Sequence, residues 1–287
     1  MLVVFDHVDI TVSDLAASRA FYHEALGLPT VEGEWVEWGD FGIQRVDEEH
    51  SLTRNLHIAF GVADRDAVDA WWNRMTEAGY RSDGKPGPRP EYSESYYGAF
   101  IVDPDGNSVE AVHHATSRAG EIDHLWLRST DLAGATRFYE TIAPVVGITV
   151  KHVSPDRVHL RFDNDQGSFS FVAGDDATES VHLAFGVADA DTVVRFHEVA
   201  LDAGYFDNGA PGERPQYHPG YYGAFVIDPT DTTSRRSSTT EASALGSAGG
   251  HLHHVRTRER RFGEVLCAMR QPARARLPIV RAQLRRR

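Results

Sequence analysis

Apolar and polar residues alternate along the first segment of the chain, from Phe5 to Val12. Such alternation is typical of a β-strand with one buried and one open face. The apolar face carries Val8, Ile10 and Val12, and the opposite face carries His7, Asp9 and Thr11.

A helix is predicted to follow this strand. Ser13 is a good N-cap residue, and Gly27 is a typical stop signal. Between them, Ala17, Phe21 and Ala25 recur every four residues and would form one apolar stripe.

The pattern then predicts five more strands and a second helix that ends at Gly79. The last two strands form a hairpin, because the turn DPDGN joins them. After the first strand, the expected strands are 35–38, 41–46, 55–62, 97–102 and 108–113, and the expected helix is 64–78. These elements make two successive βαββ units.

The same order of elements occurs twice along the chain. FDHV at 5–8 returns as IDHL at 122–125, an offset of 117 residues. LHIAFGVAD at 56–64 returns as VHLAFGVAD at 181–189, and YYGAF at 96–100 returns at 221–225, both at an offset of 125. A repeat of this length predicts two tandem domains, at 1–116 and 120–229.

The predicted fold class is α+β, with paired βαββ units forming curved mixed sheets. Helices would cover the outer face of each sheet and leave a cup on the inner face. Strand alternation places His7, His57 and Glu110 opposite their apolar neighbours, so all three should face the cup.

The amino-acid composition argues against a membrane-spanning protein and against a nucleic-acid-binding protein. The 287 residues are 41% hydrophobic and carry a net charge of −13, and no stretch approaches the roughly 20 apolar residues of a membrane span. We therefore expect a cytoplasmic protein with no membrane partner. Because an acidic body repels nucleic acid, no nucleic-acid partner is expected. Cys267 is the single cysteine and cannot form an intramolecular disulfide.

The segments FDHVDITVSDLAASRAFYHEALGL, LHIAFGV and YYGAFIVDPDGNSVEAVHH resemble the vicinal oxygen chelate superfamily. This superfamily includes glyoxalases, extradiol dioxygenases and bleomycin resistance proteins. The resemblance covers residues 1 to about 227 and implies a metal that chelates two neighbouring oxygens of a small substrate.

By this resemblance, His7, His57 and Glu110 are the metal ligands of the first domain. Two imidazoles and a carboxylate suit Fe(II), Mn(II) or Zn(II) and leave positions open for substrate. His124 in place of His7 is the alternative, if the first unit of the second copy pairs with the second unit of the first. We favour His7, because the first domain is contiguous.

The catalytic residues expected beside the metal are His114 and Tyr97. No fourth protein ligand is evident, which favours dioxygenase or lyase chemistry over that of glyoxalase I. The alternatives are a metal-free, bleomycin-resistance-like binding protein and a defective remnant. The expected partner is a small-molecule substrate, and a homodimer is left open.

The second copy ends abruptly after Asp228-Pro229. Restoring one base after the proline codon gives DPDGHNVEAVFHHG, with glutamate in place of Arg235. We therefore hypothesise that residues 230–287 are a basic, disordered tail derived from a frameshift. A genuine basic tail is the alternative. The second domain would then lack its last strand and its carboxylate, so one metal ion per chain is expected.

Overall fold

The computed structural model describes residues 5–48, 50–164, 167–215, 217 and 220–229, and the backbone of a strand at 264–269. The helices are α1 (Leu15–Leu26), α2 (Arg65–Glu77), α3 (Leu132–Val146) and α4 (Ala190–Asp202).

Strands β1–β7 belong to the first copy of the repeat, and strands β8–β15 come after it. Those of the first copy are β1 (Phe5–Val12), β2 (Trp35–Trp38), β3 (Phe41–Arg45), β4 (Leu56–Gly61), β5 (Ser82–Pro88), β6 (Tyr97–Val102) and β7 (Ser108–His113). Those that follow are β8 (Ile122–Ser129), β9 (Ile148–Val153), β10 (Arg157–Phe162), β11 (Ser168–Ala173), β12 (Val181–Val187), β13 (Phe206–Glu213), β14 (Tyr222–Ile227) and β15 (Glu264–Met269).

Local sequence signals account for most of these boundaries. One correction concerns the first helix: its N-cap is Asp14, whose carboxylate accepts from the backbone N–H groups of Ala16 and Ala17. Ser13 instead donates its hydroxyl to Asp105. The sequence analysis missed β5, because SDGKPGP shows no apolar alternation, so the second unit has one more strand than predicted.

The strands form two curved mixed sheets. The eight-stranded sheet has the order β5-β6-β7-β4-β8-β11-β10-β9, and the seven-stranded sheet has the order β13-β14-β15-β12-β1-β3-β2. Helices α2 and α3 pack on the first sheet, and α1 and α4 on the second. A continuous apolar core fills the helix-facing side of both sheets.

Each sheet combines units from both copies, which corrects the expectation of two sheets contiguous in sequence at 1–116 and 120–229. Strand β4 pairs with β8, and β1 pairs with β12, both antiparallel. Only residues 114–121 separate β7 from β8, and β8 joins the sheet that contains β4–β7, the second unit of the first copy. The pairing of β4 with β8 is stabilised by apolar cross-strand pairs within the core, Leu56 with Leu127 and Ile58 with Leu125.

The last strand position of the second copy is filled, which corrects the expectation that this strand is missing. Strand β15 pairs parallel with β12 and antiparallel with β14, as β7 pairs with β4 and β6. Strand β15 lies within 230–287, so the expectation of disorder is wrong for residues 264–269. Residues 230–263 and 270–287, including Arg235, lie outside the described residues, and the frameshift origin of the tail stays a hypothesis.

No helix in the described part of the chain is both long and apolar enough to cross a membrane.

Candidate metal centre

Three potential ligands converge on the concave face of the eight-stranded sheet, from three adjacent strands. They are His57 on β4, Glu110 on β7 and His124 on β8, and one ligand atom from each lies within 4.8 Å of the others. Nε2 of His57 lies 3.1 Å from Oε2 of Glu110, and Nε2 of His124 lies 3.5 Å from the same oxygen. The cluster is buried, with Glu110 only 1% exposed.

The structure places His7 elsewhere, so the prediction that His7 joins His57 and Glu110 is wrong. His7 lies on β1 in the seven-stranded sheet, beside Asp9 and His182. The reason is the exchange of units: β8, not β1, is the strand that pairs with β4. His124 therefore takes the position that the contiguous arrangement would have assigned to His7.

A further hydrogen bond orients each of the two imidazoles. Nδ1 of His57 lies 3.2 Å from the hydroxyl of Ser108, which donates to Asp83. Nδ1 of His124 lies 2.9 Å from a carboxylate oxygen of Asp123. Such outer partners fix the ring orientation and direct each Nε2 toward Glu110, where a metal ion would be shared by the three side chains.

Glu110 is held by its second oxygen. The hydroxyl of Tyr96 donates to Oε1 at 2.8 Å, so Oε2 remains directed at the two histidines. Gly98 on β6 makes room for this carboxylate, because a Cβ at position 98 would come impossibly close to Oε1.

Burial and neighbouring charges shift the pKa values of His57, Glu110 and His124 in opposite directions. Burial alone would lower the pKa of His124, but the carboxylates of Asp123 and Glu110 outweigh it and raise this pKa to about 9. Burial dominates at His57, where Glu110 offsets it only partly and the pKa falls below its usual value. Burial would raise the pKa of Glu110, but the two histidines lower it. The cluster thus holds an ionised carboxylate, as a metal site requires.

His114 lies at the rim of the cup, as predicted, although its catalytic role stays a prediction. Its Nε2 lies 2.9 Å from Asp123, and its ring stacks on Tyr96 at 5.8 Å between centroids. Its Nδ1 lies 3.2 Å from the hydroxyl of Thr116. Because both ring nitrogens have protein partners, the geometry favours a positioning role, through Asp123, for the orientation of His124.

Tyr97 does not face the cup, so the prediction that it sits in the site is wrong. Its hydroxyl donates to Asp69 on α2 at 2.8 Å, on the helix-covered side of the sheet. Strand alternation explains the error: Tyr96, Gly98 and Phe100 share the cup face, whereas Tyr97 points the other way. Alternation along 96–101 could have identified Tyr96 from the sequence.

A cavity of about 470 Å³ opens beside the cluster. His124 and Tyr96, which both contact Glu110, form part of its wall. Its other polar and aromatic walls include Arg157, whose guanidinium lies over the ring of Trp126 at 5.1 Å. The site therefore combines a buried ligand set with a space for a small molecule.

Comparison with known proteins agrees with this architecture. Residues 4–111 match the family model of the Glyoxalase/Bleomycin resistance protein/Dioxygenase superfamily. No curated protein matches the chain. Glyoxalase I from Zea mays superposes with a TM-score of 0.56 at 17% identity, covering 93% of this chain and 92% of that chain. A putative dioxygenase from Bacillus subtilis gives a TM-score of 0.59 at 12% identity, covering 93% and 85%.

At these identities the solved structures establish a shared fold. The family model covers most of the first copy of the repeat, and the second copy has a similar order of elements with one additional strand, β9–β11 in place of β2–β3. The first copy is therefore similar in sequence to the glyoxalase/bleomycin resistance protein/dioxygenase superfamily, and the chain as a whole shares the fold of glyoxalase I.

Proposed function

We propose that this chain is a divalent-metal-dependent enzyme in which His57, Glu110 and His124 are the protein ligands. The observation that carries the proposal is the convergence of their three ligand atoms within 4.8 Å. The donor set of two imidazoles and one carboxylate suits Fe(II), Mn(II) and Zn(II) alike. It leaves coordination positions open, as a site that binds substrate oxygens needs.

A divalent ion bound at this site would supply Lewis-acid stabilisation of negative charge on two neighbouring substrate oxygens. The chain's own residues would prepare the site for it. Tyr96 holds one oxygen of Glu110 and thereby directs the other toward the histidines. Asp123 and Ser108 hold the far nitrogens of His124 and His57.

The cavity wall suggests which substrates fit. Arg157 donates to the hydroxyl of Ser170 at 3.0 Å and lies over Trp126, so its charge is held in place inside the cavity wall. His159 lies beside it, and burial together with Arg157 lowers the pKa of this histidine to about 4, which leaves it neutral at pH 7. We propose a small substrate with vicinal oxygens and an anionic or aromatic group that contacts Arg157 and Trp126.

The test is metal loading and turnover of the full chain, prepared anaerobically and supplied with Fe(II), Mn(II) or Zn(II). Turnover would be screened on vicinal diols and α-hydroxycarbonyl compounds. Glu110→Gln and His124→Gln should each abolish metal-dependent turnover and remove the ion bound at this cluster. His23→Gln, which changes an exposed histidine on α1, is the matched control and should behave as the wild type.

Equal turnover in the wild type and in Glu110→Gln would refute the enzyme proposal. Tight, metal-independent binding of a small molecule without turnover would instead support the bleomycin-resistance-like alternative. The cytoplasmic location, the lack of a nucleic-acid partner and the oligomeric state stay predictions.

A further inference from the structure

A second group of potential ligands lies in the seven-stranded sheet. It consists of His7 and Asp9 on β1 and His182 on β12, with one ligand atom from each within 4.8 Å of the others. The rings of the two histidines stack with centroids 5.2 Å apart. This group is distinct from the cluster of His57, Glu110 and His124, since it belongs to the other sheet.

The repeat shows that the two histidines of this group are the counterparts of those in the first cluster. His7 corresponds to His124 at the offset of 117, and His182 corresponds to His57 at the offset of 125. The carboxylate does not correspond. Glu110 pairs with Ala59 and Phe100, and the residue in the equivalent register, opposite Ala184 and Phe225, is Leu266.

Asp9 supplies a carboxylate from a different strand. It pairs directly across the sheet with His182, in the register where Trp126 pairs with His57 in the first cluster. Strand alternation puts Asp9 on the same face as His7, two residues earlier. The second group has therefore lost a carboxylate at one position and carries one at a neighbouring position.

The environment of Asp9 is unusual for a structural carboxylate. The residue is 3% exposed, and its Oδ2 makes no hydrogen bond, although it lies 3.4 Å from Nε2 of His7. Burial raises the pKa of Asp9, and the nearby histidines offset this only partly. A buried carboxylate oxygen without a hydrogen bond is costly unless a cation satisfies it.

Gly42 on β3 accommodates this carboxylate. It pairs with Asp9 across β1 and β3, and a Cβ at position 42 would clash with the carboxylate. Gly98 makes the same allowance for Glu110 in the first cluster. In addition, Nδ1 of His7 lies 2.9 Å from Asp6, as Nδ1 of His124 lies 2.9 Å from Asp123.

We propose that His7, Asp9 and His182 form a second divalent-cation site, in which a carboxylate from β1 replaces the one absent from β15. An ion there would bridge β1 and β12, the strands through which the two copies join in the seven-stranded sheet. The protein would then bind two ions per chain, in place of the single ion expected from the sequence. The competing explanation is a metal-free ion pair between Asp9 and a protonated His7.

The experiment isolates the second site by disabling the first. The full chain carrying His57→Ala and Glu110→Gln is equilibrated with Zn(II), and bound zinc is measured after dialysis. One zinc ion per chain should remain. Adding Asp9→Asn should weaken its binding at least about 10-fold, because an amide is a poor replacement for a carboxylate ligand.

Asp47→Asn in the same background is the matched control, because Asp47 is exposed and contacts His50, outside both clusters. Zinc held by other histidines, such as those at 251, 253 and 254, is common to every variant and cancels in the comparison. His182→Gln repeats the test through the other strand, and circular dichroism confirms that each variant is folded.

A folded background variant that retains no zinc would overturn the proposal. So would retention that neither Asp9→Asn nor His182→Gln reduces. The reverse combination, Asp9→Asn with the first cluster intact, separates the two proposals: it should keep one ion and any turnover that depends on Glu110.

Discussion

Gly98→Ala should disable the metal site proposed at His57, Glu110 and His124 without changing any of these three residues. A Cβ at this position would lie far inside van der Waals distance of Oε1 of Glu110, and 3.3 Å from both Cδ of Glu110 and Cε1 of Tyr96. The carboxylate would have to retreat by about 1 Å to restore an ordinary contact. That distance is about half of a metal–oxygen bond of roughly 2.0–2.2 Å, so Glu110 could no longer reach the ion while His57 and His124 stay in place.

The expected result is a loss of metal affinity at this cluster of at least about 10- to 100-fold, the range seen when a hydrogen-bond partner of a ligand is removed. The crowding should also lower the free energy of unfolding by about 1–3 kcal/mol. Affinity would be measured by Mn(II) titration followed by electron paramagnetic resonance, and stability by urea unfolding.

Gly174→Ala is the control, since a Cβ there would only touch the side chain of Arg128 at an ordinary 3.5 Å. It should leave both affinity and stability close to those of the wild type. If Gly98→Ala bound Mn(II) as tightly as the wild type, the argument that this glycine makes room for the carboxylate ligand would be refuted.

Four further substitutions, two of them a matched pair, test other parts of the structure. Tyr96→Phe should reduce metal affinity by releasing Glu110, whereas Tyr97→Phe should not, and parallel metal titrations would show a reversed order if the face assignment is wrong. Burial raises the pKa of Asp40 from 3.8 to about 6, because the folded protein disfavours the ionised carboxylate. The protonated form avoids this cost, so the free energy of unfolding is highest below pH 4 and falls as the pH rises through 6. Asp40→Asn should therefore raise stability at pH 7.5 by up to about 3 kcal/mol and little at pH 4, and urea unfolding giving the same gain at both would contradict this. Tyr22→Phe removes a buried 3.0 Å hydrogen bond to Asp103 and should cost about 1–3 kcal/mol in the same assay; no loss would show that the bond contributes nothing.

The sequence by itself determined the local structure and the chemistry available to it. Alternation located β1, β6 and β7 to the residue, because side-chain direction along a strand is set by the backbone alone. The same rule put His57 and Glu110 on the concave face. The repeat likewise showed that each histidine had a counterpart in the second copy.

Only the tertiary structure decided which residues share a site. Alternation states which face a side chain occupies, but it does not state which strand edge pairs with which, since pairing depends on contacts distant in sequence. The choice of His124 over His7 follows from the pairing of β4 with β8. The placement of Asp9 beside His182 follows from the pairing of β1 with β12. The strand at 264–269 lies between β12 and β14, in the position that β7 takes between β4 and β6, and this placement too depends on pairing between segments distant in sequence.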